Sequence, residues 1–267
     1  MAVTLEEAKK NVQDDLQMGV IDEFQKSNWI LEHIPFDDAV TPTGGGATPS
    51  YSYTRLKTQP TASFREINKE YVPSEVTKER HTVEIKVFGG AYQIDRVIAN
   101  MGGIVSELEL QQAQKIKAAQ ALFNDTFING DTAKDTKAFD GLDKALTGSS
   151  TEYNTGGVID LSTSELVTKN YQYFLDMLDE FLGGLDGRPS FVAGNNKLIS
   201  KIRACARRAS MYQVTQDNWG NQVESYGGIP FVDMKTKAGT NEEVIPIKAG
   251  DGTTSLYVGR LAIDGLH

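Results

Sequence analysis

A single cysteine, Cys205, stands in 267 residues, which excludes an internal disulfide and a cysteine-rich zinc site. It falls at an apolar position of a helical pattern and is expected in the core, compatible with a reducing compartment. Histidine is equally scarce: His33, His81 and His267 are dispersed and lack the spacing that places two imidazoles on one metal. Long apolar runs are missing, so no segment is expected to span a bilayer. Met1 to Lys10 passes directly into a charged amphipathic pattern unlike a signal peptide, so the chain is expected to be made and used in water, with no membrane partner. Positive charge is in deficit, with 27 Lys and Arg against 36 Asp and Glu, a formal charge of -9. General attraction to a phosphate backbone is therefore not expected. The densest basic cluster, Lys197, Lys201, Arg203, Arg207 and Arg208, lies at helical spacings and is expected to be a solvated helix face.

Motifs that carry chemistry are missing as well. Gly44-Gly45-Gly46 lacks the lysine and hydroxyl of a phosphate-binding loop and reads as a hinge. Asp131, Asp135 and Asp140 fail the spacing of a calcium loop and are expected in a polar turn. Asp176, Asp179 and Glu180 sit on the polar side of a helix, where solvation accounts for them without acid–base work. No catalytic, cofactor-binding or metal-binding residue is assigned, and no cofactor is expected.

What is present is an ordinary globular composition, 39% hydrophobic and 24% charged, at a length suited to one large or two interleaved domains. Thr4 and Glu7 form a capping-box pair, and Leu5, Ala8, Val12, Leu16, Val20 and Phe24 follow along one helical stripe. The stripe leads into Trp29, Ile30, Leu31, Ile34 and Phe36, and the stretch from Thr41 to Pro49 has no helix-forming capacity, which predicts an arm ending in a hinge. Tyr51 and Tyr53 on one flank, with Val83, Ile85 and Val87 on the other, alternate as two strands of a long hairpin. Between them polar residues dominate and Pro60 and Pro73 interrupt any continuous strand. Such a ribbon is marginal by itself, and Phe64, Ile67, Tyr71 and Val72 are expected to be covered by another surface.

Farther on, Ala91 to Arg96 alternates as a strand, and Ser106 with Glu109 opens a long helix. Its stripe runs through Leu108, Ala113, Ile116, Ala119, Leu122, Phe123 and Phe127 to a stop at Asn129-Gly130. Ser162 with Glu165 opens a second helix that ends at Gly183-Gly184. A strand over Ser190 to Ala193 then feeds a helix from Asn195 to about Ala209, and Ile229 to Val232 follows the Gly227-Gly228 turn as a strand. Val244 to Ala249 and Ser255 to Leu261 flank Gly250-Asp-Gly252, which predicts a closing hairpin.

Ala91 to Asn100, the helix ending Phe127-Ile-Asn-Gly-Asp131, and Phe139-Asp-Gly-Leu142 together resemble the major capsid proteins of tailed bacteriophages. Pro189 to Asn196, Tyr226 to Phe231 and Tyr257 to Leu266 are similar to the same family, so the likeness covers most of the chain from about residue 50 onward. The resemblance implies the Hong-Kong-ninety-seven-type fold, shared with encapsulins. This is an α+β architecture with an N-terminal arm (1–49), an extended β-hairpin loop (50–85), a peripheral domain with a long spine helix (86–154), an axial α/β domain (155–245) and a return to the peripheral domain (246–267).

It further implies a structural protein and no enzyme: a homo-oligomer whose pentamers and hexamers build an icosahedral shell around double-stranded DNA. The expected partners are copies of the chain itself, with scaffolding protein, portal and maturation protease, and the DNA held as nonspecific content. The expected location is the virion capsid, assembled in the bacterial host cytoplasm. Subunit contacts are expected at Phe64, Arg65, Ile67, Lys69 and Tyr71 of the loop, and at Trp29, Tyr212 and Trp219. Some relatives crosslink a loop lysine to a partner asparagine, but no motif selects Lys57, Lys69 or Lys78, and no crosslink is expected. Two alternatives are an encapsulin-like compartment shell and a soluble hydrolase built from scattered acidic residues.

Overall fold

A computed structural model describes residues 29–36, 50–100, 107–153, 157–210, 213–216, 222–263 and 265–266. The predicted N-terminal helix, the hinge, Ser106, Tyr212 and Trp219 lie outside the described residues. The chain divides into two compact units, Phe36–Phe88 and the combination of Met1–Pro35 with Gly89–His267.

The smaller unit contains the predicted hairpin, β1 (Ser50–Thr58) paired antiparallel with β2 (Thr77–Glu84), but the second strand stops before Ile85 and Val87, which the alternation predicts in it and which lie beyond the paired residues. The larger unit opens with the short helix α1 (Trp29–His33), whose Ile30 is fully buried. The predicted strand over 91–96 does not form. Residues 89–95 are irregular, and the Asp95 side chain accepts from the Val97 amide at 2.7 Å to cap a one-turn helix, α2 (Arg96–Ala99). Alternation creates a strand only where another strand supplies hydrogen bonds, and an aspartate ahead of free amides favours a helix start.

Helix α3 (Glu107–Asn129) is the predicted spine, 23 residues or roughly 35 Å long. Only its C-terminal turns are buried, through Ala121, Asn124, Phe127 and Ile128, while Leu108, Ile116 and Leu122 stay exposed, contrary to the stripe expected along its whole length. The chain then doubles back through a loop to α4 (Leu142–Leu146). In that loop Gly141 donates its amide to Gly130 O at 2.8 Å, and a Cβ on Gly141 would lie 2.6 Å from both the Gly130 nitrogen and Ile128 O. Backbone cannot retreat as a side-chain tip can. Gly141→Ala is therefore expected to cost about 1–3 kcal/mol and to lower the thermal midpoint by several degrees in a melting experiment.

The aspartates of this loop close on a lysine. Lys144 Nζ lies 2.7 Å from Asp131 Oδ1 and 2.9 Å from Asp140 Oδ1, and the Thr132 amide donates to Asp140 at 2.8 Å. The hydrogen bond from Lys144, with the Thr132 amide behind it, pulls the Asp140 carboxyl down to about 2, and Lys144 likewise lowers Asp131. A depressed carboxylate stabilises the loop at every pH above the unfolded value of about 3.9 and loses that contribution only as pH falls through about 2. Lys144→Met should bring the Asp140 titration back up toward the ordinary range, read from its side-chain carboxyl carbon by NMR.

Helix α5 (Ser164–Gly183) is capped by Thr163, whose hydroxyl accepts from the Leu166 amide at 3.2 Å, one residue later than the Ser162 start predicted. Val167, Leu175 and Leu178 face inward at helical spacing. Strand β3 (Phe191–Gly194) is buried at every residue, the signature of a central strand covered on both faces. The Asn195 side chain caps α6 (Asn196–Arg208) by accepting from the Lys197 amide at 2.8 Å. Ile199, Ile202, Cys205 and Ala206 form the inner stripe of α6, and Cys205 is buried as predicted, its thiol pushed up by desolvation. Two residues of the basic cluster turn out to hold α6 against the start of α5. Lys201 donates to Ser162 O at 2.7 Å, and Arg208 donates to Ser164 Oγ and Thr168 Oγ1, each at 3.1 Å.

Strands β4 (Gln213–Gln216), β5 (Gln222–Tyr226), β6 (Ile229–Asp233) and β7 (Tyr257–Gly259) complete a five-stranded sheet of order β4-β5-β6-β3-β7. β3 and β6 are parallel, the crossover between them being α6 with β4 and β5, while the remaining pairs are antiparallel. Gly227 and Gly228 join β5 to β6 with φ of 58° and 77°, the mirror-image turn that two positive φ angles require. The predicted hairpin over 244–261 reduces to its turn, with Lys248 N to Thr253 O at 2.8 Å, and β7 pairs with β3 instead. The reason is local: Pro246 has no amide to give, and the carbonyls of Val244 and Ile245 accept from the side chains of Asn129 (2.7 Å) and Asn195 (2.8 Å).

Two cores result. One gathers Ile30, Phe127, Ile128, Phe191, Val232 and Met234 with their neighbours, and the other gathers Leu161, Val167, Leu175, Leu178, Cys205 and Tyr226. Buried tyrosines tie each to a helix: Tyr257 donates to Asp143 Oδ1 at 2.7 Å and Tyr226 to Asp179 Oδ1 at 2.8 Å. Burial, then the neighbouring carboxylate, pushes both phenols well up.

Candidate assembly interface

The hairpin has two chemically distinct faces, because side chains alternate along each strand. Pairing of Tyr51 with Val83, Tyr53 with His81 and Arg55 with Glu79 puts the aromatic and apolar groups together. Tyr53 stacks on His81 with centroids 5.5 Å apart, and the Arg55 guanidinium lies 5.3 Å from the Tyr53 ring centre. The other face carries hydroxyls: Ser52 meets Thr82 at 2.9 Å, and Thr58 meets Thr77 at 2.6 Å where the ladder ends. These cross-strand contacts fix register, yet they bury almost nothing.

Beyond the ladder the chain runs from 59 to 76 without a strand or helix. The Ser74 hydroxyl bridges to Thr61, accepting from its amide at 2.9 Å and donating to its carbonyl at 3.1 Å. At the tip Arg65 donates to Lys69 O at 3.0 Å, its guanidinium lies 5.2 Å from the Tyr71 ring centre, and Lys69 pairs with Glu66 at 2.6 Å. Asn68 takes a left-handed φ of 66° to make the turn. All of this is solvent-exposed, where such ion pairs contribute little. Phe64 is fully exposed, Ile67 is 90% exposed and Val72 84%, with Tyr71 at 61%. The structure thus brings Phe64, Arg65, Ile67, Lys69 and Tyr71 together at one tip with no apolar cover of their own. Across 50–88 there are seven Lys or Arg and five Glu, a charge of +2 inside a chain of -9, which leaves -11 for the rest.

Of the other predicted contact residues, Trp29 alone lies among the described residues, and it is placed differently. Trp29 packs against the first core, tilted on Phe191 at 5.7 Å and stacked on His33 at 4.2 Å. An open cleft of about 330 Å³ is lined by Lys197, Lys237, Glu242, Glu243, Pro246 and Ile247, with no hydroxyl, thiol or imidazole side chain. Among the described residues, no group of three His, Cys, Asp or Glu side chains could hold a metal ion, and no helix is long and apolar enough to cross a membrane. Val87, which is not among the expected contact residues, is also fully exposed next to the ribbon.

No family model matches the chain, and no curated protein matches it. Solved structures do. The holo-SrpI encapsulin complex from Synechococcus elongatus PCC 7942 superposes with a TM-score of 0.57 at 13% identity, covering 99% of this chain and 77% of that one. A structure of Mycobacterium phage Bobi matches with a TM-score of 0.48 at 13% identity over 86% and 71%, and one of Gordonia phage Cozz with 0.43 at 16% over 87% and 71%. The first match runs almost the whole length of the chain and shows a shared fold, the one that the sequence resemblance implies.

Proposed function

We propose, from the premise of an encapsulin-type fold, that the chain is a structural protein that builds a closed shell from many copies of itself. The single observation that carries the reading is the ribbon tip. An exposed Phe, Ile, Val and Tyr on a two-stranded hairpin without a core are costly to leave in water, at ~25 cal/mol per Å² of apolar surface, and a neighbouring copy is the surface most abundantly available. The +2 ribbon and the -11 remainder of the chain favour the same copy-to-copy contact. Many modest contacts of this kind sum through multivalency into a stable assembly.

In this reading the subunits gather as pentamers and hexamers of an icosahedral shell, the capsid of a tailed phage or prophage, filled with double-stranded DNA. Assembly takes place in the host cytoplasm, with scaffold, portal and maturation protease as partners. A net negative wall suits contents that must not be held tightly. The compartment reading shares the shell and differs in what fills it, and the encapsulin match is the reason to test for it. Electron micrographs of the purified chain should show uniform shells, rings or capsomers. Nuclease-protected DNA inside them supports the capsid, and a single co-purifying protein cargo without nucleic acid supports the compartment. A persistent monomer that turns over small substrates contradicts both and favours a hydrolase.

A further inference from the structure

The polar face of α5 carries charge in the wrong place for an isolated helix. Glu180 stands in its last turn, with Asp179 just before it and Asp176 one turn farther back, and the last turn has no basic residue. The C-terminal end of a helix already bears partial negative charge, so carboxylates there oppose the dipole and lysines would suit the lone subunit better. Asp179 has work inside the molecule, as the acceptor of the Tyr226 hydroxyl. Asp176 and Glu180 form no ion pair or side-chain hydrogen bond among the described residues. On the same side of the helix, within roughly 60° of them at 3.6 residues per turn, Tyr173 is 51% exposed.

Helix α6 presents the opposite chemistry. Lys201 and Arg208 are spent on holding α5, but Lys197 and Arg207 are exposed and form no ion pair or side-chain hydrogen bond among the described residues. Between them on that side lie only Ser200 and Ala204, small enough to admit a ring.

We propose that the α5 face of Tyr173, Asp176 and Glu180 docks on the α6 face of Lys197 and Arg207 in a second copy of this chain. Glu180, retained at the helix end against the dipole, and Asp176 one turn before it receive their cations from the neighbour, and Tyr173 supplies a rigid aromatic anchor beside an arginine. Two different faces meeting head to tail make a heterologous contact, which closes into rings when the rotation permits. The inference rests on the shell reading but concerns a different surface from the ribbon.

The test is a charge swap. D176K/E180K and K197E/R207E should each raise the protein concentration needed for assembly at least about tenfold, and the chain carrying all four changes should return to within about threefold of the unsubstituted protein. D176K/E180K should at the same time raise the thermal midpoint of the unassembled subunit, an effect opposite to that of a merely structural role. Reversals that assemble at the original concentration, or a folded fourfold variant no better than either pair alone, would overturn the contact while leaving the shell reading standing. An unsubstituted chain that never assembles removes the shell reading and this contact with it.

Discussion

Replacing residues 59–76 with Asn-Gly is expected to abolish shell formation while leaving a folded subunit. The join is feasible because the ladder ends with Thr58 facing Thr77, and a two-residue Asn-Gly turn suits strands that meet there. The excised segment contributes to neither core, and its aromatic and aliphatic side chains are exposed, so the subunit's circular dichroism and thermal midpoint should be unchanged within error. What disappears is the exposed apolar tip that, in the proposed shell, each copy offers to the next. In a shell that loss recurs at every subunit, so a contact of even a few kcal/mol, removed everywhere at once, is enough to leave free subunits or small rings. The readout is sedimentation velocity together with micrographs, and intact shells from the shortened chain would remove the ribbon from the account.

Phe191→Ala should do the reverse and destroy the subunit itself. Phe191 is 0% exposed, opens the interior strand β3, packs against Trp29 and fills the core shared with Phe127 and Ile128. Truncating a buried phenylalanine costs about 3–5 kcal/mol, a large share of a domain's usual 5–15. Soluble expression should collapse, or the midpoint should fall steeply. Phe64→Ala, the same substitution at the ribbon tip, should leave the midpoint unmoved and weaken assembly alone. A similar loss of stability from both substitutions would mean that the tip is packed within its own chain.

The contrast between these two phenylalanines also marks how much the amino-acid pattern discloses. Tyr51, Tyr53, Val83 and the two prolines announce a ribbon without a core, and the structure has one. Asn195 before an apolar stripe announces the start of α6, and the pair Gly227-Gly228 announces a turn that only positive φ permits. The failures occur where a distant partner decides. Residues 91–95 alternate as well as any strand, but among the described residues no strand pairs with them, and Asp95 commits the next residues to a helical turn. Val244 and Ile245 resemble one arm of a hairpin until Asn129 and Asn195, 115 and 50 residues away in sequence, take their carbonyls. The spine helix misled in another way: its periodicity predicts burial along its whole length, whereas the subunit alone covers only the C-terminal turns. The exposed apolar cluster at the ribbon tip could be located from the ribbon's composition, but what covers it is not written in local spacing.

Hydrogen–deuterium exchange of the amides in 59–76, compared between assembled and dissociated protein, tests the central claim most directly. In the free subunit these amides should exchange as fast as an exposed loop, and assembly should slow those around Phe64 to Val72 by orders of magnitude. Equal and rapid exchange in both states, with shells demonstrably intact, would contradict the claim that one copy's ribbon is stabilised by another.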